Sequence, residues 1–234
     1  MTVKNSIRCA LTLLLSMASL QAFCAGERME GVWKLSRPQV LLAPADGSPL
    51  PLTEAGRKRY EANKAYAAKG DYESYDLSMA RCSSPGAPRL MLTPDRFRIF
   101  SRPAVFYMMF EWNRVLRQVD LDPKKQLDMP DWGTVTGLNR GHWEGEALVV
   151  ESLGFSRKRL LDNLLPNSEE LRLLERIRLV DANTLEDRIT ITDPEMFTKP
   201  WDAVLTYKRQ PDEVFPEDVC LDRKDAGQLP LPKG

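Results

Sequence analysis

Apolar and polar side chains alternate along a series of short runs from residue 95 to residue 208, and turn residues separate the runs. Alternation with a period of two is typical of strands that bury one face. The pattern predicts strands at 97–101, 104–112, 115–121, 147–152, 185–192 and 203–208, with a weaker candidate at 133–140. These strands predict a mainly β fold, in which an antiparallel meander curls into a lipocalin-like barrel or packs as a sandwich.

The segment 167–180 fits two structures. Its first four residues, Asn-Ser-Glu-Glu, could cap a helix over 171–180. As a strand, the same residues would place mostly apolar side chains on one face and three arginines on the other, with Leu174 the exception. The strand separates the side chains more cleanly, and the turn at 181–183 would join it to the strand at 185–192. We therefore favour a strand and keep the helix as the alternative.

The first part of the chain predicts one further strand and one helix. Gly31–Leu35 is the predicted first strand, and four prolines make 37–52 an extended loop. Thr53 is a suitable N-cap for a helix that Gly70 ends. Residues 82–94 carry three prolines and are predicted to be a loop.

Residues 1–25 have the features of a cleavable secretory signal peptide. Lys4 and Arg8 supply a positive start, residues 9–20 are mostly apolar, and small residues follow. The apolar stretch is too short to cross a bilayer, which takes about 20 residues. We therefore predict a periplasmic or secreted protein. A lipoprotein anchored at Cys24 is a minor alternative, because the bulky Phe23 fits poorly before a lipidated cysteine.

Removal of the signal peptide leaves a chain of one-domain size. We predict a segment at 26–94 that holds the first strand, the Pro-rich loops and the helix, and that packs on the main domain. An antiparallel β domain is predicted at 95–220, and a C-terminal tail at 221–234.

The charge balance argues against several kinds of partner. The chain has 33 basic and 33 acidic residues, so no positive excess favours nucleic acid or an anionic membrane. No later apolar run is long enough to cross a membrane. A single histidine, His142, and the lack of a Cys-x-x-Cys pair predict no metal site. The sequence has no Gly-rich phosphate loop, and we predict no cofactor. It also has no Gly-x-Ser-x-Gly motif, so it does not predict a serine nucleophile.

Two of the four cysteines, Cys82 and Cys220, lie beyond the signal peptide. An even count in an oxidising compartment predicts one disulfide between them. Two unpaired buried thiols are the alternative.

Residues 141–151 read Gly-His-Trp-Glu-Gly-Glu-Ala-Leu-Val-Val-Glu. This segment resembles the Gly-x-Trp-Glu-Gly-[Asp/Glu]-x-Leu-Val-Val-[Asp/Glu] signature of a large family of exported bacterial proteins of uncharacterised function. Shorter matching pieces lie at 51–53, 81–86, 110–118, 168–176 and 193–201. The resemblance spans roughly 31–220 and implies that both mature cysteines belong to the family pattern. Family members often carry histidines where this chain has Leu138 and Asn167, so the resemblance implies no chemistry based on those histidines here.

Two carboxylates are candidates for acid–base catalysis. Glu175 lies on the apolar face of its predicted strand, where burial would raise the pKa of a carboxyl that lacks a cationic partner. An ion pair with a neighbouring arginine is the structural alternative. Glu151 alternates with Ala147 and Val149 and is expected to face the same way as they do.

A second group of residues is predicted to bind a ligand. Glu111 and Arg117 flank a predicted turn and would face each other across a hairpin, where the pair could bind a polar group or only fix the register. Large aromatic side chains nearby could line a pocket or fill a core. The predicted ligand-binding residues are Tyr107, Glu111, Trp112, Arg117 and Trp132.

Export, neutral charge and charged side chains among aromatic strand faces predict a β-barrel-like protein that binds a small, largely apolar molecule. A cofactor-independent isomerase or lyase that uses Glu175 or Glu151 is the first alternative. An envelope protein-interaction domain is the second. An exposed apolar patch over a solid core would favour that last alternative.

Overall fold

The computed structural model describes residues 25–125, 133–157, 159–210 and 215–228. Almost all of the predicted signal peptide and the candidate Trp132 lie outside these ranges. The strands are β1 (Gly31–Leu35), β2 (Arg96–Arg102), β3 (Val105–Phe110), β4 (Leu116–Asp120), β5 (Leu138–Glu144), β6 (Ala147–Leu153), β7 (Arg172–Asp181), β8 (Thr184–Thr192) and β9 (Trp201–Arg209). Residues 25–29 are helical, and the helices that follow are α1 (Glu54–Lys69), α2 (Leu77–Arg81) and α3 (Cys220–Asp225). The 3₁₀ turns lie at Tyr72–Ser74 and Arg89–Leu92.

The strands form one closed barrel. Each strand pairs with the next in sequence, and β9 pairs with β1 to complete the ring. Alternate side chains fill the interior, so that Phe106, Met108 and Phe110 of β3 are buried while the residues between them are partly exposed. Closure confirms the predicted mainly β barrel and decides against the sandwich.

One strand pair departs from the predicted antiparallel meander. Strands β4 and β5 are parallel over a short ladder in which Val119 is opposite Asn139 and Asp120 is opposite Arg140. A parallel pair needs a connection that returns the chain to the starting end of the first strand. The connection 121–137 is long enough for that return. The relative direction of β4 and β5 depends on this connection, and the alternation within each strand carries no information about it.

The ambiguous segment is a strand, as favoured. Leu173, Glu175 and Ile177 of β7 point into the barrel, and the arginines on the opposite face, at 172, 176 and 178, are exposed. Leu174, the residue that broke the pattern, is on the outer face and is 45% exposed. The predicted turn then joins β7 to β8.

Helix α1 has the predicted ends. The Thr53 Oγ1 atom accepts a hydrogen bond from the Gly56 N–H group at 2.9 Å, and Gly70 ends the helix in the left-handed conformation. Thr53 also anchors α1 to the connection between β8 and β9. Its N–H group donates to the Met196 carbonyl at 2.9 Å, and its hydroxyl donates to the Glu195 carbonyl at 2.6 Å.

The segment 82–94, predicted as a loop, contains the 3₁₀ turn Arg89–Leu92, and all four residues of that turn are buried. Its Met91 contacts the barrel interior, because the Tyr207 hydroxyl donates to the Met91 carbonyl at 3.2 Å. Prolines correctly indicated the absence of a strand or a long helix, but the prediction missed that this segment packs against the interior. It also missed the short helix α2 directly before it.

A disulfide joins Cys82 and Cys220, with their Cα atoms 5.4 Å apart, which confirms the predicted pair. The bond links the end of α2 to the start of α3. Such a covalent link fits an oxidising compartment. Within the described ranges, no helix has the length and apolar character needed to cross a membrane.

Candidate functional site

Two predicted site residues meet in the centre of the barrel. Arg117 of β4 and Glu175 of β7 each have no exposed side-chain surface. The Arg117 Nη1 atom donates to Glu175 Oε1 at 2.7 Å, and Nη2 donates to Oε2, so the two groups form a bidentate pair. Although burial disfavours the charged guanidinium, the attraction of Glu175 raises the pKa of Arg117.

Neutral side chains complete the hydrogen bonds of this guanidinium. Asn139 of β5 accepts from Arg117 Nε at 3.1 Å and from Nη2 at 3.0 Å through its Oδ1 atom. Ser152 of β6 accepts from Nη2 at 3.0 Å, and the Met91 sulfur lies 3.3 Å from Nη1. The charge is therefore paired and surrounded by acceptors, which is the condition under which a buried cation is tolerated.

A second carboxyl lies beside the first. Asp187 of β8 is fully buried, and burial together with the charge of Glu175 raises its pKa well above the usual range. As a carboxylate, neither Asp187 oxygen would have a hydrogen-bond partner among the described residues. A proton on Asp187 would allow it to donate to Glu175 and would leave one positive and one negative charge in the cluster.

The interior is filled by these groups and by apolar side chains. Arg117, Glu175 and Asp187 have essentially no solvent-exposed surface, as do the neighbouring Phe106 and Tyr207. A substrate could reach Glu175 only if the barrel opened. The geometry of Glu175 is that of the structural ion pair, and its catalytic role stays a prediction.

Glu111 and Arg117 do not form the predicted pair. Arg117 is opposite Met108 in the ladder between β3 and β4, and Glu111 bonds to Arg96 at 2.6 Å instead. The reason is the turn at 111–114, whose last two residues, Asn113 and Arg114, both have positive φ. The prediction centred the turn on Arg114, whereas the ladder that pairs Met109 with Leu116 centres it between Trp112 and Asn113, and this shift changes every cross-strand partner.

The remaining predicted site residues are dispersed. Glu151 lies on the outer face of β6, opposite Leu174, and shares that face with Ala147 and Val149 as expected, but it is exposed whereas they are buried. Tyr107 is also on the outer face, where it is partly exposed. Trp112 is fully buried. The four predicted ligand-binding residues within the described ranges are therefore not gathered on one face of the barrel, since Arg117 points inward and Tyr107 outward.

A cleft of about 630 Å³ lies outside the barrel and was not predicted. We call it the helix cleft. Its walls come from the end of α1, from the 3₁₀ turn that follows, and from segments near residues 40 and 163. The apolar side chains that line it include Leu41, Ala68, Tyr72, Tyr75, Met79 and Leu164.

A buried ion pair lies at the polar side of the helix cleft. Arg89 and Asp76 have side chains only 3% and 2% exposed, and Arg89 donates to both Asp76 oxygens, at 2.8 and 2.7 Å. Ser78 and Asn163 accept the remaining bonds of this guanidinium, at 2.9 and 3.1 Å. Although burial opposes ionisation, the bonds and charge of Arg89 hold the pKa of Asp76 below its usual value.

Tyr75 provides a polar group in the same cleft. Burial, together with the charge of Asp76, raises the pKa of Tyr75 to about 12, so its hydroxyl keeps its proton at neutral pH. No described residue forms a hydrogen bond with that hydroxyl. Tyr72 stacks beside it, with ring centroids 6.0 Å apart. The only sequence signal for this site was Arg89, which lies between a Pro-rich flank and the apolar run 90–92.

No protein-family model and no curated protein matches this chain. The family resemblance therefore stays a prediction. Within the described ranges, no group of three or more His, Cys, Asp or Glu side chains is placed to hold a metal ion.

Proposed function

We propose that this protein binds a small, largely apolar molecule, and that the helix cleft is the binding site. The observation that carries the proposal is the combination of an apolar, aromatic wall with a few fixed polar groups in a cleft of about 630 Å³. Sites for small molecules have this size and composition. The binding class is the one predicted from the sequence, but the site lies outside the barrel.

The polar groups of the cleft favour binding over acid–base chemistry. Arg89 and Asp76 already satisfy each other, so neither has a free proton acceptor or a free charge to offer a reaction. The Tyr75 hydroxyl has no partner among the described residues and is the group that would orient a ligand. The apolar wall supplies affinity through burial of ligand surface.

The test uses N-phenyl-1-naphthylamine, a neutral apolar fluorophore whose emission rises on burial. Ala68→Trp places a large ring in the helix cleft and is expected to weaken binding about tenfold or more. Ala65→Trp is the matched control, because Ala65 is exposed on the same helix and does not line the cleft. Tyr75→Phe is expected to leave this probe unaffected, since the probe needs no hydroxyl partner.

Equal loss of affinity in both tryptophan variants would contradict this site, and so would retention of full affinity in Ala68→Trp. Native mass spectrometry of protein purified from an exporting bacterial host tests the same proposal independently. A co-purifying mass that is present in the Ala65→Trp protein and absent from the Ala68→Trp protein would identify the natural ligand.

A further inference from the structure

A second cleft, of about 320 Å³, lies on the other side of Tyr75. We call it the arginine cleft, because Arg59, Arg157 and Arg159 all line it. Its walls come from α1, from the 3₁₀ turn at Tyr72–Ser74 and from the segment that leads into β7. The site does not depend on the helix cleft or on the function proposed for it.

The charges in this cleft are not balanced by the described residues. Arg157 forms a salt bridge with Glu169, and Glu73 forms one with Arg81, so these two lining charges are already paired. Arg59 has no carboxylate within salt-bridge distance in the part of the chain that the structure describes, and its described side-chain contact is the Met196 sulfur at 3.8 Å.

Arg159 gives stronger evidence for an anion site than Arg59 does. Its Nη1 atom donates to Ser83 Oγ at 2.9 Å, but its Nε–H group is buried and has no partner among the described residues. No described carboxylate lies within salt-bridge distance of it. Desolvation by burial lowers the pKa of Arg159; the charge of nearby Asp76 opposes this only in part, and the charge of Arg89 adds to the lowering.

A half-buried guanidinium without a counter-charge is unfavourable, and a bound anion removes that cost. The planar donor set of arginine matches the paired oxygens of a carboxylate or a phosphate. We propose that the arginine cleft is a binding site for a small oxyanion, a carboxylate or a phosphate, held by Arg159 and Arg59.

Isothermal titration calorimetry with inorganic phosphate and, separately, with succinate tests the site and distinguishes the two anions. Arg159→Gln is expected to weaken binding of the preferred anion about tenfold or more. Arg59→Gln is expected to weaken it less, because Arg59 is exposed. If the Arg159→Gln protein fails to fold, the Arg59→Gln variant still tests the site. Arg57→Gln is the matched control, since Arg57 is exposed on α1 and does not line the cleft.

Binding that both lining variants weaken and the control leaves unchanged supports the proposal. No heat of binding from either anion, or an equal loss in all three variants, overturns it. The Ala68→Trp variant separates this proposal from the previous one. This variant should no longer bind the apolar fluorophore and should still bind the anion. A wrong prediction for one cleft can therefore be distinguished from a wrong prediction for the other.

Discussion

Arg117 brings a full positive charge into the centre of the barrel, where Glu175 is its counter-charge. Arg117→Met would leave the Glu175 carboxylate unpaired beside Asp187. We expect the free energy of unfolding to fall by about 3–5 kcal/mol, as is usual when one partner of a buried pair is removed. Urea denaturation followed by tryptophan fluorescence measures the change.

The control for this variant is Arg176→Met, one residue from Glu175 on the outer face. Arg176 pairs with Glu144 in solvent, and exposed pairs contribute about 1 kcal/mol or less. The double variant Arg117→Met/Glu175→Leu removes both charges and should lose less stability than Arg117→Met alone. Similar losses for Arg117→Met and Arg176→Met would show that the interior pair is not structural.

Asp95 is a buried carboxyl whose ionisation costs stability. Its pKa is raised to about 6, first by burial and then by the negative charge of Asp218, and its nearest described cation atom, Arg223 Nη1, is 4.0 Å away. The folded pKa lies above the unfolded value, so the native state is favoured at low pH. That contribution is lost as pH rises from about 4 through about 6.

Asp95→Asn removes this titration. We expect the free energy of unfolding at pH 7.5 to rise by about 1–3 kcal/mol, with little change at pH 4. Denaturation curves of both proteins across this pH range measure the effect. The control is Asp225→Asn, at an exposed position on α3, which should leave the free energy of unfolding unchanged at both pH 4 and pH 7.5. A gain for Asp95→Asn that is the same at both pH values would contradict the assignment.

At the scale of elements, α1 is held against the barrel by a close backbone approach at Gly56. A Cβ atom at this position would lie 2.2 Å from the Met196 carbonyl oxygen, so the helix would have to move. Because the far end of α1 forms a wall of the helix cleft, Gly56→Ala should reduce affinity for N-phenyl-1-naphthylamine. It should also lower the free energy of unfolding by about 1–2 kcal/mol.

Ala65→Gly is the matched control for the helix shift. It costs about 1 kcal/mol of helix propensity at an exposed position and leaves the contact with Met196 intact. Fluorophore titration and urea denaturation of both variants separate docking from stability. If Ala65→Gly weakens fluorophore binding as much as Gly56→Ala does, the loss of affinity is caused by general destabilisation and not by a shift in the position of α1.

Local sequence signals were sufficient to predict most helices and strands, but they were insufficient to predict the candidate sites. Thr53 and Gly70 marked both ends of α1 because capping is a property of a few consecutive residues. The alternation around Glu175 identified β7 for the same reason. The partner of Glu175 lies 58 residues away, in Arg117, and that pairing follows from barrel closure. The helix cleft likewise joins segments from residue 40 to residue 164, which no local pattern relates.

On the scale of the whole molecule, the closed barrel is separate from both proposed binding sites. Its interior is occupied by a charge-balanced cluster and by apolar side chains, whereas both clefts lie outside it. The segments that build the clefts are α1, α2 and the connections around them. The proposed binding by such added segments corresponds to the general use of loops that a rigid scaffold positions.

The Cys82–Cys220 disulfide closes a loop between residues 138 apart in sequence, and it holds α2 and α3 together. A loop of this length restricts the unfolded chain strongly, so Cys82→Ser/Cys220→Ser should lower the free energy of unfolding by about 4–5 kcal/mol on the chain-entropy account. Urea denaturation of the oxidised protein, the reduced protein and the double variant measures this loss.

The reduced protein and the double variant should unfold at the same urea concentration, well below that of the oxidised protein. Reductant should not change the double variant, which makes it the control for non-specific effects. The barrel strands should form in all three, because their ladders close without the disulfide. If the reduced and oxidised proteins unfold at the same urea concentration, the disulfide does not lower the entropy of the unfolded chain measurably. The entropic account would then be wrong for this fold.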